Sequence, residues 1–140
     1  MTVYKAESNA TVTYNGTNVT AYCNQNDLDA VVAEIDTTNL ASTGAESSPA
    51  ATTWTVKMQG FLDKAPDDVF GPDSLTPPAT LRNLVVTRGP TGAQAIYTWT
   101  GTATEGAFIG NYQLPGTDPK NLNTWTADLG ISGGPVRTEG

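Results

Sequence analysis

Apolar and polar residues alternate along most of this chain with a period of two, the period of a strand with one buried face. The clearest case is Thr11-Val12-Thr13-Tyr14, then Asn15-Gly16, then Thr17-Asn18-Val19-Thr20. Asn-Gly between two alternating runs favours a two-residue hairpin turn of type I′. In that register Tyr14 faces Thr17 and Val12 faces Val19, so Val12, Tyr14, Val19, Ala21 and Cys23 share the side expected to be buried. The segment from Asn26 to Ile35 fits two periods. Leu28, Val31, Val32 and Ile35 make a helical stripe, whereas Val31, Ala33 and Ile35 make one face of a strand. No Gly or basic stop signal closes a helix before Asp36, which favours the strand. From Thr53 to Leu62, Trp54, Val56 and Met58 point one way and Thr53, Thr55, Lys57 and Gln59 the other. Further runs at 81–87, 95–100, 107–114 and 123–129 read as two more antiparallel pairs, with Trp125, Ala127, Leu129 and Ile131 alternating inward. Between Asp63 and Pro72, Pro and Gly are dense enough to allow only a short helical turn around Pro66 to Phe70. The pattern predicts one mainly β domain over residues 1–140, an antiparallel sandwich or barrel with at most one short helix. Residues 1–10 read as an N-terminal arm, and residues 130–140 as a tail that frays or docks elsewhere.

One stretch has no such pattern. Residues 36–52 run Asp-Thr-Thr-Asn-Leu-Ala-Ser-Thr-Gly-Ala-Glu-Ser-Ser-Pro-Ala-Ala-Thr and read as a long loop. Fixing its backbone costs on the order of 17–34 kcal/mol, at roughly 1–2 kcal/mol per residue. Leu40, its one sizeable apolar side chain, returns only about 1.5–3 kcal/mol on burial. Loops of this length are functional or disordered, so the segment either folds against a partner subunit or stays mobile at the surface. Its small side chains suit close packing on another molecule, and Asp36, Thr37, Thr38, Asn39, Leu40, Gly44, Ala45 and Glu46 are the candidate subunit-interface residues.

Composition narrows the chemistry. Fourteen acidic against seven basic residues give a net charge of −7, which opposes tight binding to phosphate backbones. Only 15% of residues are charged, low for a wholly solvated surface, so part of the surface is expected to be covered by protein. The chain has no histidine, which removes Ser-His-Asp and Cys-His catalysis. The close acidic pairs, Asp67-Asp68 and Asp27/Asp29, read as solvated turn and strand residues rather than a glycosidase pair. The run from Asp27 also lacks the Gly and Glu of a calcium loop. Cys23 is the only cysteine and reads as a small buried hydrophobe. The Asn-X-Thr sequons at Asn9, Asn15 and Asn18 read as chance in a segment rich in Asn and Thr. No catalytic, cofactor or metal residues are expected. Neither a signal peptide nor a membrane span is visible, so the chain is expected to stay soluble where it is made. Trp54, Tyr97, Trp99, Tyr112 and Trp125 lie on strands. Two of them exposed together would make a sugar-stacking platform, whereas among β-branched neighbours they read as core.

The order of these features resembles a known family. An early hairpin with Asn15-Gly16-Thr17, then Asp36-Thr37-Thr38 opening a long small-residue loop, then the strand from Trp54 to Phe61, is similar to the major tail (tail tube) proteins of long-tailed bacteriophages. The closing pair of strands, Ala107 to Leu114 and Asn123 to Leu129, fits as well. The resemblance implies a structural virion subunit, assembled in the host cytoplasm, that forms homo-oligomeric rings and contacts other tail proteins. Sheets of neighbouring subunits would join into a barrel, the long loop would reach an adjacent copy, and genomic DNA would pass an acidic lumen without tight binding. It implies no cofactor, no membrane and no enzymatic activity. Two departures stand out: the family's helix after the loop-strand unit has only residues 65–75 to occupy, interrupted by Pro66 and Pro72, and residues 71–80 are rich in Pro. A capsid decoration or connector protein is therefore the alternative, and a carbohydrate-binding sandwich a further one.

Overall fold

The computed structural model describes residues 10–41, 43–61, 64–89, 93–114 and 124–139. Most of the expected N-terminal arm, the tip of the loop after Arg88 and the connection 115–123 lie outside them. Among the described residues the order is β1 (Thr11–Tyr14), β2 (Thr17–Asn18), a 3₁₀ turn (Thr20–Tyr22), β3 (Gln25–Asp36), β4 (Ser47–Phe61), α1 (Lys64–Leu75), β5 (Leu84–Arg88), β6 (Ala95–Trp99), β7 (Gly106–Gln113), β8 (Thr124–Ser132) and β9 (Val136–Glu139). They form two antiparallel sheets, of order β2-β1-β5-β6-β9 and β3-β4-β8-β7.

Alternation builds the core between the sheets. Val12, Tyr14, Leu84, Val86 and Trp99 from one sheet meet Val56, Met58, Trp125, Ala127 and Leu129 from the other, all buried. The Asn-Gly hairpin forms in the expected register, with Tyr14 opposite Thr17 and both turn residues at positive φ. Ala21 departs from expectation and is exposed, because the 3₁₀ turn at Thr20 ends the alternation. Its start is fixed by Thr20 Oγ1, which accepts a hydrogen bond from Val12 N at 2.9 Å. Segment 25–36 is a strand, with Leu28 opposite Val56 and Ala30 opposite Trp54.

The helix exceeds the single turn expected at Pro66 to Phe70. It runs twelve residues and contains Pro72, although an interior proline costs about 3 kcal/mol of helix stability. Pro66 sits in the first turn, where a missing N–H is tolerated. Pro66, Phe70 and Asp73 face inward. Phe70 packs against Trp125 at 5.0 Å, Tyr112 at 5.9 Å and Tyr14 at 6.1 Å between ring centroids, so tertiary packing overrides the local breakers. Asp73 accepts hydrogen bonds from Tyr14 Oη at 2.6 Å and from Arg82 Nε at 3.1 Å and Nη2 at 2.9 Å, tying the helix to the hairpin and to the segment before β5.

Two segments read as irregular are strands. The tail is ordered: β8 runs to Ser132 and β9 pairs with β6, Tyr97 opposite Arg137. The expected loop 36–52 is strand at both ends, because β4 starts at Ser47 and pairs with β3 as far as Asp36 opposite Ser47. The irregular part therefore shrinks to residues 37–46. Cross-strand hydrogen bonds, which composition does not reveal, order the remainder.

Candidate functional site

β3 and β4 leave the body as a two-stranded arm. β8 supports β4 only as far as the pair Thr55–Gly130, and beyond it the hairpin continues for eight residues of β4, about 27 Å at 3.4 Å per residue. Trp54 marks the base, packed against Trp99 at 5.5 Å and Tyr97 at 5.6 Å. Outward of it Val31 is 64% exposed, Val32 48% and Ile35 57%, and Leu40 is fully exposed. Side chains of a strand alternate between faces, so neither face of the arm is covered by its own protomer. The pairing shifts between Val32 and Glu34, with one more residue on β4 than on β3, a bulge that bends and twists the ribbon. Pro49 sits there, where a missing ladder donor is tolerated.

The tip is knitted by short side chains. Thr37 N donates to Glu46 O at 3.0 Å, and Asp36 Oδ1 accepts from Thr38 N at 2.9 Å. Thr38 Oγ1 accepts from Glu46 N at 2.8 Å and donates to Glu46 O at 3.2 Å. Asn39 Oδ1 accepts from Ala41 N at 2.8 Å. The hydrogen bonds from Thr38, chiefly that of its backbone N–H, lower the Asp36 pKa. Of the residues singled out from sequence, Asp36, Thr37, Thr38 and Glu46 meet at the neck of the tip, Asn39 and Leu40 sit at its apex, and Gly44 and Ala45 lie on the return, all exposed. A Cβ on Gly44 would meet no atom within 4 Å. Sequence reasoning did not single out the stalk residues Val31, Val32 and Ile35 as interface residues, reading them only as a helical stripe or a strand face. A usable signal was charge, since residues 25–56 contain five acids and no base.

The outer face of the four-stranded sheet is polar, and its registers stack it in rows. The first row is Gln25, Gln59, Thr126 and Gln113; the second is Asp27, Lys57, Asp128 and Asn111; the third is Asp29, Thr55, Gly130 and Phe108. Gln59 Nε2 donates to Gln25 Oε1 at 2.9 Å, Gln25 Nε2 to Asp27 Oδ2 at 2.9 Å, and Thr126 Oγ1 to Gln113 Oε1 at 3.3 Å. Three carboxylates against one ammonium leave these rows acidic. The Phe108 ring covers Gly130, where an added Cβ would lie 2.3 Å from it.

This sheet ends in β3 on one side and β7 on the other. With four antiparallel strands its two edges run in opposite directions, so β7 of one copy can continue antiparallel onto β3 of the next under a simple rotation.

The remaining candidate chemistry is used internally. Asp67 accepts from Tyr112 Oη at 2.7 Å; burial first, then this hydrogen bond, raise the Tyr112 pKa. Trp99 and Trp125 are buried, and Trp54, Tyr97 and Tyr112 pack against the core, so these five aromatics supply no sugar-stacking platform. Among the described residues no group of three His, Cys, Asp or Glu side chains is placed to hold a metal, and no helix is long and apolar enough to cross a membrane.

No family model and no curated protein matches the sequence. Solved structures do match the fold. A chain from the virion of a native gene transfer agent particle is similar with a TM-score of 0.74 at 11% identity, covering 96% of this chain and 99% of that one. A chain from the tube-terminating cap of the anti-feeding prophage gives 0.68 at 10% identity, covering 100% and 95%. A chain from the sheath/tube terminator of the extracellular contractile injection system PVC, in its extended state, gives 0.67 at 10% identity, covering 99% and 96%. This chain shares its fold, over nearly its whole length, with chains from a gene transfer agent virion, an extracellular contractile injection system and the anti-feeding prophage cap.

Proposed function

We propose that the chain is a structural subunit of a phage-type tail tube, located in the virion, which assembles with itself and with other tail proteins and performs no catalysis. The carrying observation is the arm: a ribbon exposed on both faces, at the end of a sheet whose edge strands β3 and β7 run in opposite directions, with β7 bridged to Arg82 at Ala107. A two-stranded ribbon is marginal alone, and exposed edges are liabilities unless paired. Rotation about a common axis pairs β3 with β7 around a ring, closing the sheets into a barrel without edges. The core side of each sheet points outward from the axis, and the rows containing Asp27, Asp29 and Asp128 then line the lumen. Carboxylates there repel phosphates, so DNA passes without adhering. Asp36, Thr37, Thr38, Asn39, Leu40, Gly44, Ala45 and Glu46, with the stalk, form the contact to an adjacent copy.

The shared fold with a tube terminator and a tube cap supports a second reading, a subunit that forms one ring at a tube end. Negative-stain electron microscopy of the purified protein at high concentration separates the two. Stacked rings support the tube wall, single rings the terminal position, and a persistent monomer without rings overturns both.

A further inference from the structure

Asparagine is among the thermolabile residues, and Asn15 is the one asparagine of the chain that is followed by glycine. The turn leaves both groups open. Asn15 is exposed, and among the described residues neither its side-chain amide nor the Gly16 N–H has a hydrogen-bond partner. Gly16 carries no side chain to crowd its nitrogen, and a Cβ placed there would meet no atom within 4 Å. Other asparagines are held. Asn18, Asn26, Asn39 and Asn83 each accept at Oδ1, from Thr20 N at 3.0 Å, Arg88 Nη2 at 2.7 Å, Ala41 N at 2.8 Å and Gly101 N at 2.6 Å. Asn24 and Asn111 precede Gln25 of β3 and Tyr112 of β7, where strand pairing fixes the backbone. We infer that Asn15 is a site of spontaneous covalent modification, in which the Gly16 nitrogen displaces the side-chain amide as ammonia and water opens the cyclic imide that results.

The reaction balances with water alone. Hydroxide removes the Gly16 amide proton, the nitrogen attacks Asn15 Cγ, and the N–Cγ bond forms as the bond from Cγ to Nδ2 breaks. Nδ2 leaves as ammonia, taking its proton from water. Water then adds to one of the two ring carbonyls. Cleavage of the N–Cγ bond restores the backbone and leaves aspartate, whereas cleavage at the main-chain carbonyl leaves isoaspartate, with one extra methylene in the backbone. Nothing is oxidised or reduced. Ring closure requires Asn15 to leave its turn conformation, and β2 is only Thr17–Asn18, exposed and at the edge of its sheet, so the turn opens with the loss of few contacts. Both products act on the helix anchor. A carboxylate at position 15 enters the cavity that this residue lines together with Asp68, Asp73 and Arg82. Isoaspartate lengthens a two-residue turn whose geometry sets the register of Tyr14 opposite Thr17, and the Tyr14 hydroxyl donates to Asp73 at 2.6 Å. Modification of the turn therefore loosens the tie between hairpin and helix.

The test ages the purified full chain at 37 °C between pH 7 and pH 9 and follows intact mass, ammonia release and peptide maps whose fragmentation separates aspartate from isoaspartate. The expected result is exchange of one amide for one acid at residue 15 before any other asparagine, faster at higher pH, giving a mixture of the two products. Asn15→Asp, which suits the same turn, is expected to release no ammonia over the same period. The isoaspartyl fraction of the aged protein is expected to melt below Asn15→Asp. A folded chain that keeps Asn15 intact while the same chain in urea loses it, or that loses another described asparagine first, overturns the site. An isoaspartyl fraction that melts together with Asn15→Asp overturns the effect on the helix anchor. These outcomes are independent of ring formation, so the tube reading stands or falls separately.

Discussion

Asp73 holds the helix to the rest of the fold, and its removal has a calculable cost. The side chain is 10% exposed and accepts from Tyr14 Oη at 2.6 Å and from two nitrogens of Arg82. Breaking a buried ion pair by deleting one partner costs about 3–5 kcal/mol. Because the Arg82 side chain is 33% exposed and regains water, the low end, about 3 kcal/mol, applies to Asp73→Ala. Tyr14→Phe deletes one hydrogen bond to a charged acceptor, about 1.5 kcal/mol. An unfolding entropy of roughly 2.1 cal/mol/K per residue gives about 3 °C per kcal/mol for a chain of this size. Calorimetry at pH 7 should therefore show losses of about 10 °C for Asp73→Ala and about 5 °C for Tyr14→Phe. The double variant is the decisive measurement. Once Asp73 is gone the Tyr14 hydroxyl is buried without its acceptor, so adding Tyr14→Phe should cost nothing or recover stability. Equal cost of Tyr14→Phe in both backgrounds would refute the network. Burial alone would raise the Asp73 pKa, but the hydrogen bonds from Arg82 and Tyr14 and the charge of Arg82 outweigh it and hold it below the usual value. A depressed pKa in the folded state stabilises above the unfolded value of about 3.9 and is lost as pH falls through the folded one. Asp73→Asn should accordingly flatten the loss of stability below about pH 4.

Burial pushes the Cys23 thiol up to about 11, so only roughly one molecule in a thousand carries a thiolate at pH 8. Alkylation of the folded protein by iodoacetamide, followed by mass spectrometry, should be slow at pH 8 and rise about tenfold per pH unit towards 10; reaction at the rate of a free thiol at pH 8 would contradict this burial. At Gly60 an added Cβ would lie 2.0 Å from the Tyr22 carbonyl oxygen, a backbone atom that cannot swing away. Gly60→Ala should lower the urea midpoint by the equivalent of about 3 kcal/mol with an unchanged slope. Gly44→Ala, in open space, should stay within about 0.5 kcal/mol, and equal effects would refute the packing argument.

The sequence alone determined the β class, the Asn15-Gly16 hairpin and its register, and the inward faces of the strands carrying Trp54, Trp99 and Trp125. These follow from local rules: a period of two sorts side chains between faces, and only a few residues suit a turn with positive φ. Tertiary structure decided what local rules leave open. Helix α1 forms through two prolines because Phe70 and Asp73 find partners on elements distant in sequence. Residues 47–52 become a strand because β3 lies beside them, although their composition is that of a loop. Val31 and Ile35 have the pattern of a buried face, yet they fall on the outer face with Asp27 and Asp29, and Val32 on the core-side face is exposed because the arm runs past the last pair of β4 with β8, Thr55–Gly130. Alternation shows which residues share a face; whether that face is covered depends on where the other layers end, and that is set by contacts between residues far apart in the chain.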